Sequence, residues 1–199
     1  GQKGIQGIVI ISGGFGEVDN NGKISEKELV DIAKKYKMRI IGPNTSGVIS
    51  VKKNLNLVGL DNVPKGNIAI LSQSGNIALH MITEARLKSQ SGFSYYIGVG
   101  NESDIKFHEY LEFLREDEST DVIMMYVEGM RQGRRFLQEA YKTTAKKPIV
   151  LLKSGRSIEG KASAGSHTGA LAGISEVARS AFERAGIINI ENSDELFPV

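Results

Sequence analysis

Cysteine is absent from this sequence of 199 residues, which excludes both a disulfide framework and a thiolate metal site. The absence agrees with a reducing compartment, and we expect a cytoplasmic protein. No apolar run approaches the roughly 20 residues that a membrane-spanning helix needs, and no charged-then-apolar leader opens the chain, so we expect no membrane partner. The formal net charge is only +2, with both signs interspersed. This balance lacks the basic footprint of a nucleic-acid-binding protein.

The residues that are present describe an ordinary globular protein with a sizeable core, because 40% are hydrophobic and 24% are charged. The length predicts one large or two smaller domains. The chain begins at Gly1 without Met and enters a strand almost at once, from which we expect a fragment of a longer protein. Apolar strand-like runs alternate with helical patterns, which is typical of a parallel sheet with crossover helices.

The apolar pattern predicts strands and helices in regular succession. The predicted strands are Ile8–Ile11, Met38–Ile41, Ile68–Leu71, Ser94–Val99, Val122–Val127, Pro148–Leu152 and Ile187–Ile190. The predicted helices are Glu26–Tyr36 with Ser25 as N-cap and Glu28 completing a capping box, Ile77–Leu87, Ile105–Arg115, Gly133–Ala145, and Glu176–Ala185 with Ser175 as N-cap. The turn-rich segment Asp61–Gly66 predicts a domain junction. The five strands that follow it predict a flavodoxin-like doubly wound domain.

Polar and small residues follow the predicted strand ends. They include the turn Ser72-Gln73-Ser74-Gly75-Asn76, the turn Gly100–Asp104, Glu128, and a run of small residues, 163–173, with His167 at its centre. In open α/β sheets, ligands bind beyond the carboxyl ends of the strands. Helices that start at this edge point unpaired N–H groups and a positive dipole end toward it. The sequence therefore predicts a site for phosphate or carboxylate.

Three other motifs match poorly. Gly155–Ala162 has the spacing of a P-loop, but Ala162 stands where the magnesium-binding Ser or Thr belongs. Glu17–Glu28 nearly fits an EF-hand loop, although Glu rather than Asp holds its first position. Gly14-Phe15-Gly16 lacks the third glycine of a dinucleotide fingerprint. We therefore predict no metal site.

Two chemical interpretations of the histidine stay open on the residues alone. Ser74, Glu128 and His167 occur in the chain order of an α/β-hydrolase triad, but Ser72 holds the place where the nucleophile elbow needs Gly. Alternatively, Glu128 fixes the tautomer of His167 and leaves its other nitrogen free as a nucleophile. Helix N-termini in the same pocket would then stabilise a phosphoryl group on that nitrogen.

Four motifs together resemble the NDP-forming acyl-CoA synthetases, the superfamily of succinyl-CoA ligase. They are Gly42-Pro43-Asn44, Leu71–Gly75, Tyr126-Val127-Glu128-Gly129 and Ser166–Gly173. The type that this chain resembles most is the α subunit, or α part, of the ADP-forming acetyl-CoA synthetases. The resemblance implies that residues 1–62 form the last portion of a Rossmann-like CoA-binding domain. It also implies that residues 66–199 form the flavodoxin-like ligase domain with the phosphohistidine loop.

The resemblance also implies roles for individual residues. His167 matches the phosphorylated histidine and Glu128 the glutamate that orients it. Phosphate contacts are implied for Ser72, Gln73, Ser74, Gly75 and Asn76, and for Gly165, Ser166, Thr168 and Gly169. Contacts with CoA and the acyl group are implied for Ser12, Gly13, Gly14, Pro43 and Asn44. Many relatives have Cys where this chain has Thr45, so the surroundings of the CoA thiol differ here.

The reaction implied is the reversible conversion of acyl-CoA, NDP and phosphate into carboxylate, CoA and NTP, with acetate and ADP as the expected substrates. The nucleotide and Mg²⁺ would bind to an ATP-grasp partner, fused or separate, which this sequence lacks, in a homo- or hetero-oligomeric enzyme. We expect the isolated chain to be catalytically incomplete. A non-catalytic CoA-binding regulatory module is the alternative, against which the presence of His167 argues.

Overall fold

The computed structural model of the protein describes residues 1–89, 91–154, 175–192 and 195. The chain opens with a small parallel sheet of two strands, β1 (Gly7–Val9) and β2 (Arg39–Ile41), whose residues Gly7 and Arg39 are partners in register. Helix α1 (Asn20–Lys35) connects the two strands. This β-α-β unit has the parallel connection that the sequence predicted.

Helix α1 begins six residues before its predicted start at Glu26. Asp19 is the N-cap, because its side-chain Oδ1 accepts a hydrogen bond from Gly22 N at 2.7 Å. The predicted cap, Ser25, lies inside the helix and is exposed. The same helix runs through most of the candidate calcium loop, so an EF-hand is excluded there.

The larger sheet has seven strands. They are β3 (Val48–Ser50), β4 (Leu55–Asn56), β5 (Lys65–Ser72), β6 (Phe93–Gly98), β7 (Val122–Val127), β8 (Ile149–Lys153) and β9 (Ile188–Ile190). Their spatial order is β4-β3-β6-β5-β7-β8-β9. Strands β5 to β9 are parallel to their neighbours in the order that flavodoxin-like folds use. The predicted fold class and five-strand series are therefore confirmed.

Two short strands, β3 and β4, were not predicted. Strand β3 pairs antiparallel with β6 and β4 pairs antiparallel with β3, which extends the edge of the parallel sheet. Runs of three and two residues are too short to show a period in the sequence. Both lie on the N-terminal side of the junction at Asp61–Gly66, yet they belong to the larger sheet. The division into domains 1–62 and 66–199 stays a prediction.

The helices of the larger unit cover both faces of the sheet. They are α2 (Gly75–Glu84), which continues into a π-helical turn (Ala85–Ser89), α3 (Phe107–Glu116), α4 (Gly133–Thr144) and α5 (Ser175–Arg184). Phe107, Phe136 and Phe182, one from each of α3, α4 and α5, belong to one apolar layer with edge-to-face ring contacts. Helix α2 contributes to the other layer. Within the described ranges, no helix is long and apolar enough to cross a bilayer.

Candidate functional site

The carboxyl ends of the parallel strands bring several predicted site residues to one edge. Strand β5 ends at Ser72 and its partner β7 at Val127, so the turn 72–76 and Glu128 are neighbours. The loop after β2 reaches the same edge, where Pro43 O accepts a hydrogen bond from Asn101 N at 3.0 Å. His167, with Gly165, Ser166, Thr168 and Gly169, lies outside the described residues, as does the P-loop-like segment Gly155–Ala162.

The turn between β5 and α2 is built by its own hydroxyl groups. Ser72 is buried; its Oγ donates to Ser74 O at 2.7 Å and accepts from Ser74 N at 3.2 Å. Ser74 is the N-cap of α2, with Oγ 3.5 Å from Ile77 N. A Cβ at Gly75 would lie 2.8 Å from Ser46 Cβ, so the loop after β2 packs closely on the start of α2. Ser72 shapes the turn, while Asn76 at the helix start is exposed.

Gln73 joins this turn to Glu128. Its side-chain Oε1 accepts hydrogen bonds from Glu128 N at 2.6 Å and from Gly129 N at 3.0 Å. Its backbone N donates to Tyr126 O at 3.2 Å. Gln73 therefore fixes the backbone from which the Glu128 side chain projects, a role that its position in the sequence did not reveal.

Lys153, the last residue of β8, places its ammonium group beside the backbone of Glu128. Lys153 Nζ donates to the backbone oxygens of Glu128 and Ser154 at 3.2 and 3.3 Å. Ser154 N donates to Val127 O at 3.0 Å, so Ser154 lies beside the end of β7. Burial and, next, the negative charge of Glu128 raise the pKa of the Tyr126 phenol. Lys153 was not among the predicted site residues; it directly follows the predicted strand Pro148–Leu152, and the structure makes it the last residue of β8.

The loops predicted to contact CoA lie side by side. Ser12, Gly13 and Gly14 are exposed, and Asn44 N donates to Ser12 O at 2.9 Å. Gly14 has φ +96°, and a Cβ there would meet nothing within 4 Å, so a ligand can approach the backbone closely. The backbone at Gly14 is therefore open, whereas a Cβ at Gly13 would lie 3.0 Å from Glu17 Oε1 and Pro43 is buried.

Thr45 directly follows the motif Gly42-Pro43-Asn44. It is 4% exposed; its Oγ1 donates to Gly98 O at 2.5 Å and accepts from Gly47 N at 3.1 Å. The hydroxyl therefore ties the loop after β2 to the end of β6.

A polar cluster that the sequence did not single out connects the small sheet to this edge. Glu17 Oε1 accepts from Gly14 N at 2.5 Å, and Glu17 Oε2 accepts from Asn101 Nδ2 at 2.5 Å. The same Asn101 Nδ2 donates to Glu26 Oε2 at 2.9 Å, and Arg131 Nη1 lies 3.0 Å from Glu26 Oε1. The cluster was missed because Asn101 and Arg131 lie at least 75 positions from Glu26 in the chain and join it only in the folded structure.

Electrostatics favour the charged form of both carboxylates in the cluster. Burial alone would raise the pKa of Glu17, but hydrogen bonds from Asn101 and the Gly14 and Phe15 backbone lower it on balance. Burial likewise opposes ionisation of Glu26, and its hydrogen bonds and the charge of Arg131 hold its pKa below the ordinary value. Both carboxylates therefore act as acceptors at neutral pH.

Glu102, in the turn after β6, behaves differently. It is 1% exposed, and its Oε1 accepts from Phe107 N at 2.9 Å at the start of α3. Burial raises its pKa. Glu102 thus caps a helix inside the protein.

Comparison with known proteins identifies relatives over nearly the whole chain. The family model for the succinyl-CoA ligase like flavodoxin domain matches residues 65–199. The chain is 43% identical over 196 residues to the α subunit of acetate–CoA ligase [ADP-forming] II of Pyrococcus furiosus, a match covering 98% of this chain and 43% of that subunit. It is 41% identical to a 4-hydroxybutyrate–CoA ligase [ADP-forming] of Nitrosopumilus maritimus, covering 99% of this chain and 29% of that protein.

A solved structure matches as well. An acetyl-coenzyme A synthetase of Ca. Korarchaeum cryptofilum in complex with phosphate and ADP superposes with a TM-score of 0.91 at 35% identity, covering 98% of this chain and 42% of that one. The present chain thus spans less than half the length of these relatives.

Proposed function

Because the chain belongs to the family of the succinyl-CoA ligase like flavodoxin domain, we propose that it is the phosphohistidine-carrying part of an NDP-forming acyl-CoA synthetase. The whole enzyme would interconvert acyl-CoA, NDP and phosphate with carboxylate, CoA and NTP. Acetate and ADP are the proposed substrates, since similar proteins include acetate–CoA ligases [ADP-forming]. One similar protein is named for 4-hydroxybutyrate, so larger carboxylic acids are the first substrates to compare with acetate.

The proposed reaction has three steps. Phosphate attacks the thioester carbonyl, which breaks the C–S bond and yields acyl phosphate and CoA. A ring nitrogen of His167 then attacks the phosphorus and releases the carboxylate. The phosphoryl group finally passes from His167 to the NDP, which regenerates the free imidazole.

The observation that carries the proposal is the contact between Gln73 and Glu128. It places the glutamate beside the turn 72–76 and the start of α2, whose first N–H groups can bind phosphoryl oxygens. Glu128 would accept a hydrogen bond from one nitrogen of His167 and so direct the other nitrogen toward the phosphorus. Lys153, beside the backbone of Glu128, adds positive charge where phosphoryl oxygens would lie.

The remaining parts of the reaction need other segments. Ser12, Gly13, Gly14 and Asn44 are proposed to line the path of the pantetheine thiol toward the phosphate site. An ATP-grasp partner, fused or separate, is proposed to hold the nucleotide and Mg²⁺. On this basis the 199-residue chain alone should not turn over.

The test uses the complete enzyme, incubated with ATP labelled in its γ-phosphoryl group. The expected result is protein-bound label that is acid-labile and base-stable, as a phosphohistidine is, and that disappears in His167→Ala. Retention of the label in His167→Ala overturns the assignment. Turnover by the 199-residue chain without a partner would contradict the proposal that an ATP-grasp partner must hold the nucleotide and Mg²⁺.

A further inference from the structure

The segment 128–132 carries Glu128 from the end of β7 to the start of α4, and it is held at both ends. At the first end, Gln73 Oε1 accepts from the backbone of Glu128 and Gly129. At the far end, the Arg131 guanidinium lies 3.0 Å from Glu26 Oε1 of helix α1. Only Gly129 and Met130 separate Glu128 from Arg131, so a shift of Arg131 is transmitted to Glu128 over two residues.

The far end depends on a carboxylate that is almost fully buried. The Glu26 side chain is 6% exposed, while that of Arg131 is 50% exposed. Glu26 Oε2 also accepts from Gly16 N at 3.1 Å and from Asn101 Nδ2 at 2.9 Å. These two hydrogen bonds fix the buried carboxylate, so the half-exposed Arg131 guanidinium pairs with an oxygen whose position is set by Gly16 and Asn101.

The partners of Glu26 come from segments that serve different parts of the proposed reaction. Gly16 follows the loop proposed for CoA, Asn101 also binds Glu17, and Glu17 in turn binds Gly14 N. Glu26 therefore bridges the backbone near the thioester to the segment that carries Glu128.

We propose that Glu26 and Arg131 are a positioning pair for Glu128, which fix the segment 128–132 from the CoA-binding side. Neither residue contacts the reacting phosphoryl group; the pair acts through the backbone of Glu128. The proposal rests on the proposed function, since it assumes that Glu128 orients His167. It predicts that the pair governs the rate of phosphoryl transfer and leaves nucleotide binding unchanged.

The experiment measures phosphohistidine formation in the complete enzyme with γ-labelled ATP, for Glu26→Gln, Arg131→Met, the double variant and Arg131→Lys. Each single variant is expected to lower the maximal labelling rate about tenfold or more, with the KM for ATP unchanged. The double variant should lose no more than either single variant, because the two residues act as one unit. Arg131→Lys keeps the charge and should recover part of the rate.

Arg39→Met is the matched control. The Arg39 side chain is also 50% exposed, and it joins the small sheet to Asp104 and Glu109, which lie outside the segment 128–132, at 3.0 and 2.7 Å. Its labelling rate should stay near that of the wild type. An equal loss in Arg39→Met would show that the Glu26 contact serves only to hold the two units together, and the proposal would be overturned.

Labelling at the wild-type rate in Glu26→Gln, or losses that multiply in the double variant, would also overturn it. Failure of the proposed function is seen separately, as label retained in His167→Ala. Circular dichroism and thermal unfolding of each variant confirm that the fold persists.

Discussion

Gln73 and Glu128 are joined by a hydrogen bond of 2.6 Å from the backbone N of Glu128 to the side-chain oxygen of Gln73. Gly129 N donates to the same oxygen at 3.0 Å. One amide oxygen thus satisfies two backbone donors at the carboxyl end of β7. The residue that was expected to bind phosphate therefore also sets the position of the proposed histidine partner.

Gln73→Leu removes both hydrogen bonds at similar side-chain size. An unsatisfied backbone donor costs about 1–3 kcal/mol when it is shielded from water, so the segment after β7 should shift to regain partners. We expect phosphohistidine formation in the complete enzyme to fall about tenfold or more. The labelling rate with γ-labelled ATP is the measurement. Gln138→Leu, an exposed glutamine on α4, is the control, and equal rates in the two variants would contradict the assigned role.

The alternation of apolar runs and helical patterns was sufficient to predict the parallel part of the fold. Val122–Val127 was predicted with its observed bounds, because a buried parallel strand is a continuous apolar run between turns. Topology alone also predicted that the turn 72–76 and Glu128 lie at one edge, because both follow the carboxyl ends of neighbouring parallel strands. The start of α1 was predicted wrongly, since Ser25 and Glu28 imitate a capping box inside a helix that Asp19 caps.

The contacts that build the site could not be predicted from the sequence. Gln73 and Glu128 are 55 positions apart, and no spacing rule relates a turn residue to the backbone of another turn. The same holds for Glu26 and Arg131, which meet only because the small sheet packs against the edge of the larger one. Such pairs depend on tertiary packing, which local patterns do not encode.

The ionised Glu26 should stabilise the protein in a defined pH range. Its pKa is held below the ordinary 4.5 in the folded state and returns to that value on unfolding. The stabilisation is therefore complete above pH 4.5 and is lost as the pH falls toward the folded pKa. We expect the unfolding temperature of Glu26→Gln to lie several degrees below that of the wild type at pH 6, with a narrower gap below pH 4.

Thermal unfolding followed by circular dichroism at both pH values checks this expectation. Glu28→Gln, at an exposed position of the same helix, controls for the general loss of one negative charge. If the difference in unfolding temperature between Glu26→Gln and the wild type stays constant between pH 6 and pH 4, the carboxylate contributes through its shape rather than its charge.

Ionisation of Glu102 should destabilise the folded protein, whereas ionisation of Glu26 stabilises it. Burial raises its pKa above the ordinary 4.5, so the ionised carboxylate costs stability at pH values above the folded pKa. Below pH 4.5 the group is protonated in both states and the cost disappears. Glu102→Gln retains an oxygen to cap Phe107 N, and we expect it to raise the unfolding temperature at pH 7 by a few degrees, with a smaller gain at pH 4. If Glu102→Gln instead unfolds at a lower temperature at pH 7, the attraction of the Glu102 charge to Lys106 and Arg131 outweighs the cost of its burial.

Two glycines at helix starts provide a matched pair for the geometry of α1. A Cβ at Gly22 would collide with the backbone carbonyl of Phe15, whereas a Cβ at Gly133, in the first turn of α4, would meet nothing within 4 Å. Gly22→Ala should destabilise the protein by about 1–3 kcal/mol, as overpacking does. Gly133→Ala should stabilise it by about 0.4–1 kcal/mol, because alanine restricts the unfolded chain.

Gly22 lies one turn before Glu26 on the same helix, so a forced shift of α1 also moves Glu26 away from Arg131. Gly22→Ala should therefore slow phosphohistidine formation as well as lower the unfolding temperature, while Gly133→Ala leaves the labelling rate unchanged. If Gly22→Ala unfolds at a lower temperature but labels at the wild-type rate, the start of α1 supports the fold without setting the position of Glu26.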